Sequence, residues 1–498
     1  MKSPEDPDYV VGVVGCGAMG QGIAQVSAQG GMRTILFDAR EGGASAARER
    51  IAGHINRMAE KGRVSDADAA ASIERLEVAE NLAALAPCDT VVEAIFEDID
   101  AKHAVFREVE AVVRPDCIIA SNTSSIPIAS IARACEHRDR IGGLHFFNPV
   151  PLMKLVEVIR AAQTSDQTVA NLMALGKRMT RVPVEVKDSP GFLVNMGGRA
   201  YTTEALRIVH EGVATPEQVD AIMRDCWGFR MGPFELMDLT GIDVNYPVSQ
   251  IIWEGYGYDP RLKTSPNHKA MFDAGLYGRK TGQGWFKYEN GKPLDRPSPD
   301  FKTDAAPITK VRLAGPNPDL VAFCEEIGLA TGDEGPVLGA PVGLDATHRA
   351  VRSKIDAQTL CCIDLTGDTS KRVTVMTAPG ADRAALEGIA AVIIASGRAV
   401  TWINDSAGFV AQRMVAMVGN LGCYMAEIGL ASPEDIDTAM QLGLNYPHGS
   451  VALADQLGPT RTVNVLEALQ SITGDERYRP TQWLRRRAQL GLSLYTPN

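Results

Sequence analysis

The sequence predicts an α/β protein: a doubly wound parallel sheet, followed by a helical domain, a degenerate small α/β piece and a second copy of the helical domain. Three observations predict it. Apolar strand-like runs alternate with helical stretches in the first part of the chain, and a glycine-rich turn opens the first of those helices. Residues 405–458 also align without gaps to residues 188–241, at a constant offset of 217. Alternation of this kind marks parallel strands joined by crossover helices. Self-similarity over such a length marks a duplicated unit.

The first strand run, in "YVVGVVGCGAMGQGIAQVSAQGG", enters Gly15-x-Gly17-x-x-Gly20 and then a helical stretch. Such glycines permit a tight turn and let a pyrophosphate approach the helix N-terminus, where the dipole favours negative charge. The next strand, "RTILFDAR", ends at Asp38, about 20 residues on, where a carboxylate accepts a ribose 2′-hydroxyl and repels a 2′-phosphate. A glycine turn alone can be merely structural. Strand, helix and terminal acid in register predict a Rossmann-type dinucleotide site, and Asp38 predicts NAD. Arg40 is dissonant, because a nearby arginine can serve NADP; a solvated surface residue is its other reading.

Further strands are expected in "DTVVEAIF" (90–97), "DCIIASN" (116–122) and "RIGGLHFF" (140–147). Ligands of open α/β sheets sit beyond the carboxyl ends of the strands. Polar residues gather at those ends here: Glu93 and Glu97, Asn122 with Ser124 and Ser125, then His145. Each alone can be a turn or capping residue, which is the better reading for Ser125.

"GLHFFNPVPLMKLVEVI" (142–158) places one histidine and one carboxylate, Glu157, inside apolar runs. A lone carboxylate there is costly unless paired. If "HFF" and "KLVEVI" form an antiparallel hairpin about the turn-rich "NPVPLM", position 145 falls opposite position 157, with Cβ atoms roughly 5 Å apart. Glu157 would then fix the tautomer of His145 and stabilise its cation, leaving the other ring nitrogen to take a proton. Beside a nicotinamide, such a base implies alcohol oxidation. A satisfied structural His–Glu pair is the alternative reading.

The motifs "GxGxMGxGIA", "SNTSS", "GLHFFNPVPLMKLVEVI", "KDSPGFLVN" and "MGPFELMDLTG", closed by "GRKTGQGWFKY", resemble the L-3-hydroxyacyl-CoA dehydrogenase family in order from about residue 9 to 290. The resemblance implies NAD-dependent oxidation of (S)-3-hydroxyacyl-CoA to 3-oxoacyl-CoA. His145 would be the general base and Glu157 its orienting partner. Ser124 and Asn195 would hold the substrate's 3-oxygen. The cofactor would meet Gly15, Gly17, Ala18, Met19, Gly20 and Asp38, with Glu93, Glu97, Lys102 and Asn122 towards the nicotinamide. Lys61 resembles a lysine that meets the CoA phosphates. The two-unit layout is similar to bacterial 3-hydroxybutyryl-CoA and 3-hydroxyadipyl-CoA dehydrogenases. Rival readings are a dehydrogenase of a non-CoA 3-hydroxy acid (gulonate- or carnitine-like) and a non-catalytic, crystallin-like NAD-binding protein.

"DSPGFLVN" reads as a helix start with Asp188 or Ser189 as cap and Pro190 in the first turn; "ATPEQVDAIMRD" repeats the device with Thr215 and Pro216. The expected domains are 1–187, NAD-binding; 188–290, helical; 291–308, a Pro- and Asp-rich linker; 309–403, a degenerate small α/β domain; and 404–498, a second, non-catalytic helical copy. At the place of Asn195 that copy has Gln412. The strand–helix turn in "KVRLAGPNPDLVAFCEEIG" lacks the glycine fingerprint, so the middle piece is expected to bind no dinucleotide. The second copy is expected to pack on the first within one chain.

A net charge of −11 argues against nucleic-acid and acidic-membrane partners. Nine cysteines without a CxxC pair indicate neither a metal site nor a disulfide framework. No signal-like h-region precedes the first strand, and no apolar run approaches the ~20 residues that span a bilayer. A cytoplasmic enzyme is expected, with an acyl-CoA substrate and a separate enoyl-CoA hydratase, since the cofactor strand begins too early to leave room for one upstream. Homo-oligomerisation and acyl chain length stay open.

Overall fold

The first strand, β1 (Val10–Val14), is buried along its whole length, as a central strand covered on both faces must be. The computed structural model describes all of residues 1–498 and places β1 at the middle of an eight-stranded sheet. The others are β2 (Arg33–Phe37), β3 (Leu76–Val78), β4 (Thr90–Glu93), β5 (Ile118–Ser121), β6 (Ile141–Phe146), β7 (Leu155–Arg160) and β8 (Val182–Lys187). Their order is β3-β2-β1-β4-β5-β6-β7-β8. Strand order reverses between β1 and β4, and the glycine turn leaves β1 at that crevice, where open α/β sheets bind ligands. Every neighbouring pair is parallel except β6 and β7, whose antiparallel register sets His145 opposite Glu157 as the hairpin argument requires.

A short hairpin, β9 (Tyr288–Glu289) with β10 (Lys292–Pro293), precedes the second sheet. That sheet comprises β11 (Lys310–Leu313), β12 (Ala330–Thr331), β13 (Val337–Gly339), β14 (Leu360–Ile363), β15 (Arg372–Met376) and β16 (Ala399–Ile403), in the order β12-β11-β13-β14-β15-β16. Strands β14 and β15 are antiparallel and β15 and β16 parallel, the pattern of β6, β7 and β8. The repeat thus reaches back beyond the sequence match. β7 and β15 begin at Leu155 and Arg372, and β8 and β16 at Val182 and Ala399, again 217 apart.

Helices Pro216–Trp227, Pro233–Thr240 and Ile242–Gly255 return as Pro433–Leu444, Ser450–Leu457 and Pro459–Thr473. Thr215 and Gln218 form a reciprocal capping box at the first of these, with Pro216 at its opening position. Asp188 does not cap a helix of its own, as the sequence suggested. Residues 189–193 form a turn before the short helix Val194–Gly197, and the Asp188 carboxylate instead accepts the amides of Ile128 and Ala129, 3.0 and 2.8 Å away. Asp405 does the same for Ala346 and Thr347.

The chain divides into two compact units, Met1–Met196 with Gly429–Leu444, and Gly197–Ile428 with Asn445–Asn498. Helix Pro433–Leu444, from the second copy, therefore belongs with the first sheet, where it lies on β7 and β8. There the Lys187 amide donates to the Leu430 carbonyl at 2.9 Å. In the second unit, helix Pro216–Trp227 lies on β15 and the Asn404 amide donates to the Val213 carbonyl at 3.0 Å. These are the same contact in the two repeats, each made by the other copy's segment.

Within the second unit the two helical copies meet along helices Arg199–His210 and Ala411–Glu427. A buried charge network crosses this contact. The Arg413 guanidinium donates to Glu204 (Nε, 2.9 Å), Glu211 (Nη1, 2.9 Å) and the Tyr478 hydroxyl (Nη2, 2.9 Å), and Tyr478 donates to Glu204 at 3.0 Å. Arg477 lies 3.4 Å from the other Glu204 oxygen. The positions that mirror Arg413 and Glu204 are Met196 and Leu421, so the charges occur once. No helix is long and apolar enough to cross a membrane.

Candidate active site

The glycine turn is built by exclusion. Gly15 has φ +94°, and a Cβ there would stand 2.7 Å from the Ala94 carbonyl oxygen. A Cβ on Gly20 would come within 1.8 Å of the Gly15 carbonyl, so only glycine lets the helix pack on the turn. Gly17 is different: nothing lies within 4 Å of its missing side chain. That open space sits at the N-terminus of helix Ala18–Gln29, which no side chain caps, so the first amides, beginning with Ala18 and Met19, are left for an external acceptor. These features fit the pyrophosphate of a dinucleotide.

Asp38 ends β2 beside a cavity of about 490 Å³ that Arg40, Glu41, Ser45 and Glu80 also line. One carboxylate oxygen accepts the Cys16 amide at 2.8 Å, tying β2 to the glycine turn. Arg40 pairs with Asp38 through two nitrogens, at 3.0 and 3.1 Å, and holds its carboxyl down at about 2. The arginine that seemed dissonant is thus engaged by the acid. Cys16, inside the fingerprint, is no thiolate nucleophile, since burial pushes it up to about 12.

Towards the sheet's carboxyl edge, Glu93 and Lys102 form a buried pair. Each is 1% exposed, and they meet each other, Lys102 Nζ donating to Glu93 at 2.6 Å. The second Glu93 oxygen accepts the Ser121 hydroxyl at 2.6 Å. A strand-end carboxylate covered by helix Ile99–Val112 needs internal partners, and these residues supply them. Glu97 is partly exposed and serves the loop after β5. One of its oxygens accepts the hydroxyls of Thr123 and Ser125, at 2.5 and 2.9 Å, and the amides of Ser124 and Ser125, both at 3.1 Å. Burial pushes this carboxyl up, but Thr123, Lys102, Ser125 and Ser124 outweigh it and hold it below the usual carboxylate range. Four donors on one oxygen fix the loop and leave Ser124 on its exposed side.

His145 Nδ1 lies 2.6 Å from one Glu157 oxygen. The other oxygen accepts the amides of Leu193 and Val194, at 3.1 and 2.8 Å, so the carboxylate is held at both ends. His145 Nε2 has no protein partner. Phe147 and Phe192 flank the imidazole, with ring centroids 4.6 and 5.8 Å away. Phe192 adopts the left-handed region at φ +48°, costly for a bulky residue, but Phe409 repeats it at +49° in the second copy. The strain therefore belongs to the repeated turn rather than to the site.

Asn122 braces the histidine's strand by accepting the Phe146 amide at 2.8 Å. Asn195 Nδ2 reaches the Ser124 carbonyl at 3.4 Å, so Ser124, Asn195 and Glu97 are brought together with the His145–Glu157 pair in one unit. Lys61, at the end of helix Gly43–Glu60, is exposed, and its amide closes the helix on the Arg57 carbonyl at 3.3 Å. The amides of Leu193 and Val194 escaped sequence reasoning, because a main-chain donor leaves no residue-type signal. At the mirror of Asn195, Gln412 is fully buried. It accepts the Gly343 amide at 2.8 Å and donates to the Pro341 carbonyl and Asp364, which closes that place in the second repeat.

Comparison with known proteins gives the family. The family described as 3-hydroxyacyl-CoA dehydrogenase, NAD binding domain, matches residues 10–189, and its C-terminal domain matches residues 191–288 and again 408–493. The chain is 34% identical over 480 residues to 3-hydroxyadipyl-CoA dehydrogenase of Escherichia coli K12, covering 96% of this chain and 97% of that protein. The crystal structure of 3-hydroxybutyryl-CoA dehydrogenase from Escherichia coli K12 superposes with a TM-score of 0.87 at 33% identity, over 97% of this chain and 98% of that one. The (S)-3-hydroxybutyryl-CoA dehydrogenase structure from Ralstonia eutropha matches 57% of this chain and 100% of its own, at 36% identity and a TM-score of 0.54. The glycine cradle, the strand-end acid and two matched domains make the chain an NAD-dependent oxidoreductase, and it belongs to the 3-hydroxyacyl-CoA dehydrogenase family.

Proposed function

We propose that the protein interconverts (S)-3-hydroxyacyl-CoA and 3-oxoacyl-CoA, with His145 as general base and Glu157 as its orienting partner. The observation that carries this reading is the 2.6 Å His145–Glu157 contact with the far carboxylate oxygen clamped by two amides. Glu157 holds the proton of Nδ1, so Nε2 is the basic nitrogen. In the oxidative direction Nε2 takes the 3-hydroxyl proton while the hydrogen on C3 leaves with its electron pair, and the C3–O bond becomes a carbonyl. NAD supplies the hydride acceptor. The charge on Glu157 stabilises the imidazolium, and Ser124 and Asn195 hold the 3-oxygen in line. Turnover of a panel of CoA esters, including four-carbon and six-carbon ω-carboxy substrates, followed at the NADH absorbance, tests the reading. Equal activity on the free 3-hydroxy acids would sink it.

A separate enoyl-CoA hydratase would supply the substrate. All nine cysteines are buried and none forms a disulfide, which suits the reducing cytoplasm.

Two outcomes follow from the site. Asp38→Ala is expected to shift the kcat/KM preference for NAD over NADP by about ten- to a hundred-fold, the worth of a lost charge-assisted hydrogen bond. A wild-type enzyme that prefers NADP would mean that Arg40 outweighs Asp38. Glu97→Ala removes the shared acceptor of the Ser124 loop and is expected to lower kcat/KM by about ten- to a hundred-fold while NAD still binds. Unchanged kcat/KM would deny the loop that dependence.

A further inference from the structure

Gly443 is the last residue but one of helix Pro433–Leu444, on the face that meets the first sheet. A Cβ on Gly443 would stand 2.9 and 3.1 Å from the two methyl groups of Val194 and 3.1 Å from Leu155 Cδ2. Both neighbours are buried and cannot retreat into solvent. Val194 is the residue whose amide donates to Glu157 at 2.8 Å, and Leu155 begins β7, the strand that carries Glu157. The catalytic pair is thus backed by a segment of the second, otherwise non-catalytic, copy.

The other repeat shows what this helix position does where no catalytic pair lies beneath it. The mirror of Gly443 is Cys226, and the mirrors of Leu155 and Val194 are Arg372 and Ala411. There a side chain fits, with Cys226 Sγ donating to the Arg372 carbonyl at 3.6 Å. Over the Glu157 clamp the same helix position carries no side chain.

We propose that helix Pro433–Leu444 is a working part of the dehydrogenase site and that Gly443 is a positioning residue. By seating against Val194 and Leu155 it fixes the amide clamp on Glu157, and through Glu157 the imidazole of His145. This rests on the proposed function. Any added atom at 443 pushes Val194 by a few tenths of an ångström and moves the clamp.

The test uses the full-length enzyme. Gly443→Ala is expected to lower kcat about three- to ten-fold and Gly443→Leu more, in line with the steep cost of small displacements at a reacting centre. KM for the CoA ester and NAD affinity should stay within about two-fold of wild type, since neither ligand touches residue 443. Val194→Ala added to Gly443→Ala removes the two Val194 methyls, including the nearest, keeps the amide donor, and should recover most of the lost kcat. Thermal unfolding of each variant separates displacement from loss of fold, because a purely structural role predicts kcat falling only with the folded fraction. The inference is overturned by wild-type kcat in Gly443→Leu, by loss that tracks stability alone, or by no recovery in the double variant. Wild-type turnover in the same assay reports on the proposed function independently of these ratios.

Discussion

His145→Gln is expected to lower turnover by about 10²–10⁴-fold while leaving NAD binding intact. Glutamine keeps an amide that can reach Glu157, so the clamp and the sheet register persist. What disappears is the basic Nε2, the only ring nitrogen without a partner in this pair. Glu157→Gln should cut turnover strongly by a different route, since it removes the charge that stabilises the imidazolium and offers an amide where the imidazole proton needs an acceptor. Reduction of acetoacetyl-CoA with NADH gives the rates, and calorimetry with NAD shows whether the cofactor site survives. Near-normal turnover in His145→Gln would refute the assigned base.

Glu204→Leu is expected to cost about 3–5 kcal/mol of stability, among the largest effects any single change here should have. Glu204 is fully buried and accepts from Arg413 and Tyr478, with Arg477 beside it. Leucine leaves the buried Arg413 with Glu211 as its one remaining carboxylate and Arg477 with none in contact. Removing one member of a buried charge set strands the others, whereas replacing opposed members with apolar residues of similar size is often neutral. Glu204→Leu with Arg413→Met should therefore recover part of the loss, the rest staying with the stranded Arg477. Urea unfolding of the single and double variants measures both. A single variant within about 0.5 kcal/mol of wild type would show that this network does not hold the helical copies together.

Much of the site could be read before the fold was known, for physical reasons. The pairing of His145 with Glu157 follows from period-two strands about a short turn, where one register alone keeps both polar residues on the same side. Gly15, Gly20 and Asp38 are legible because each answers a steric or electrostatic demand that few residue types satisfy. The pairing of Glu93 with Lys102 was not legible, because a strand-end position does not reveal which helix side chain will reach it. Asp188 misled: the acid of an Asp-Ser-Pro run looks like its own helix cap, yet its nearest open amides belong to Ile128 and Ala129. The duplication announced itself through Asp405, Gly408, Phe409 and Pro433, but the exchange of segments between repeats did not. An amphipathic helix records that one face is buried and is silent about which sheet buries it. Arg413 and Glu204 likewise look like solvated helix residues until the two helices are set side by side.

The exchange of segments also sets an order of events during synthesis. Strands β7 and β8 are complete once Lys187 has left the ribosome, but the helix that covers them ends at Leu444. At ~5–20 residues per second that gap lasts roughly ten to fifty seconds. For that time the nascent enzyme carries a finished Gly-rich turn and a finished hairpin over an uncovered apolar flank, a state that invites chaperone capture or misassembly. Cutting the gene between residues 291 and 308 would make the interval permanent, yielding an N-terminal product with His145 and Glu157 and without the helix that covers their sheet. Two such fragments made together could still meet and trade segments, so the shortest active product of this gene is expected to be a pair of halves rather than either half alone.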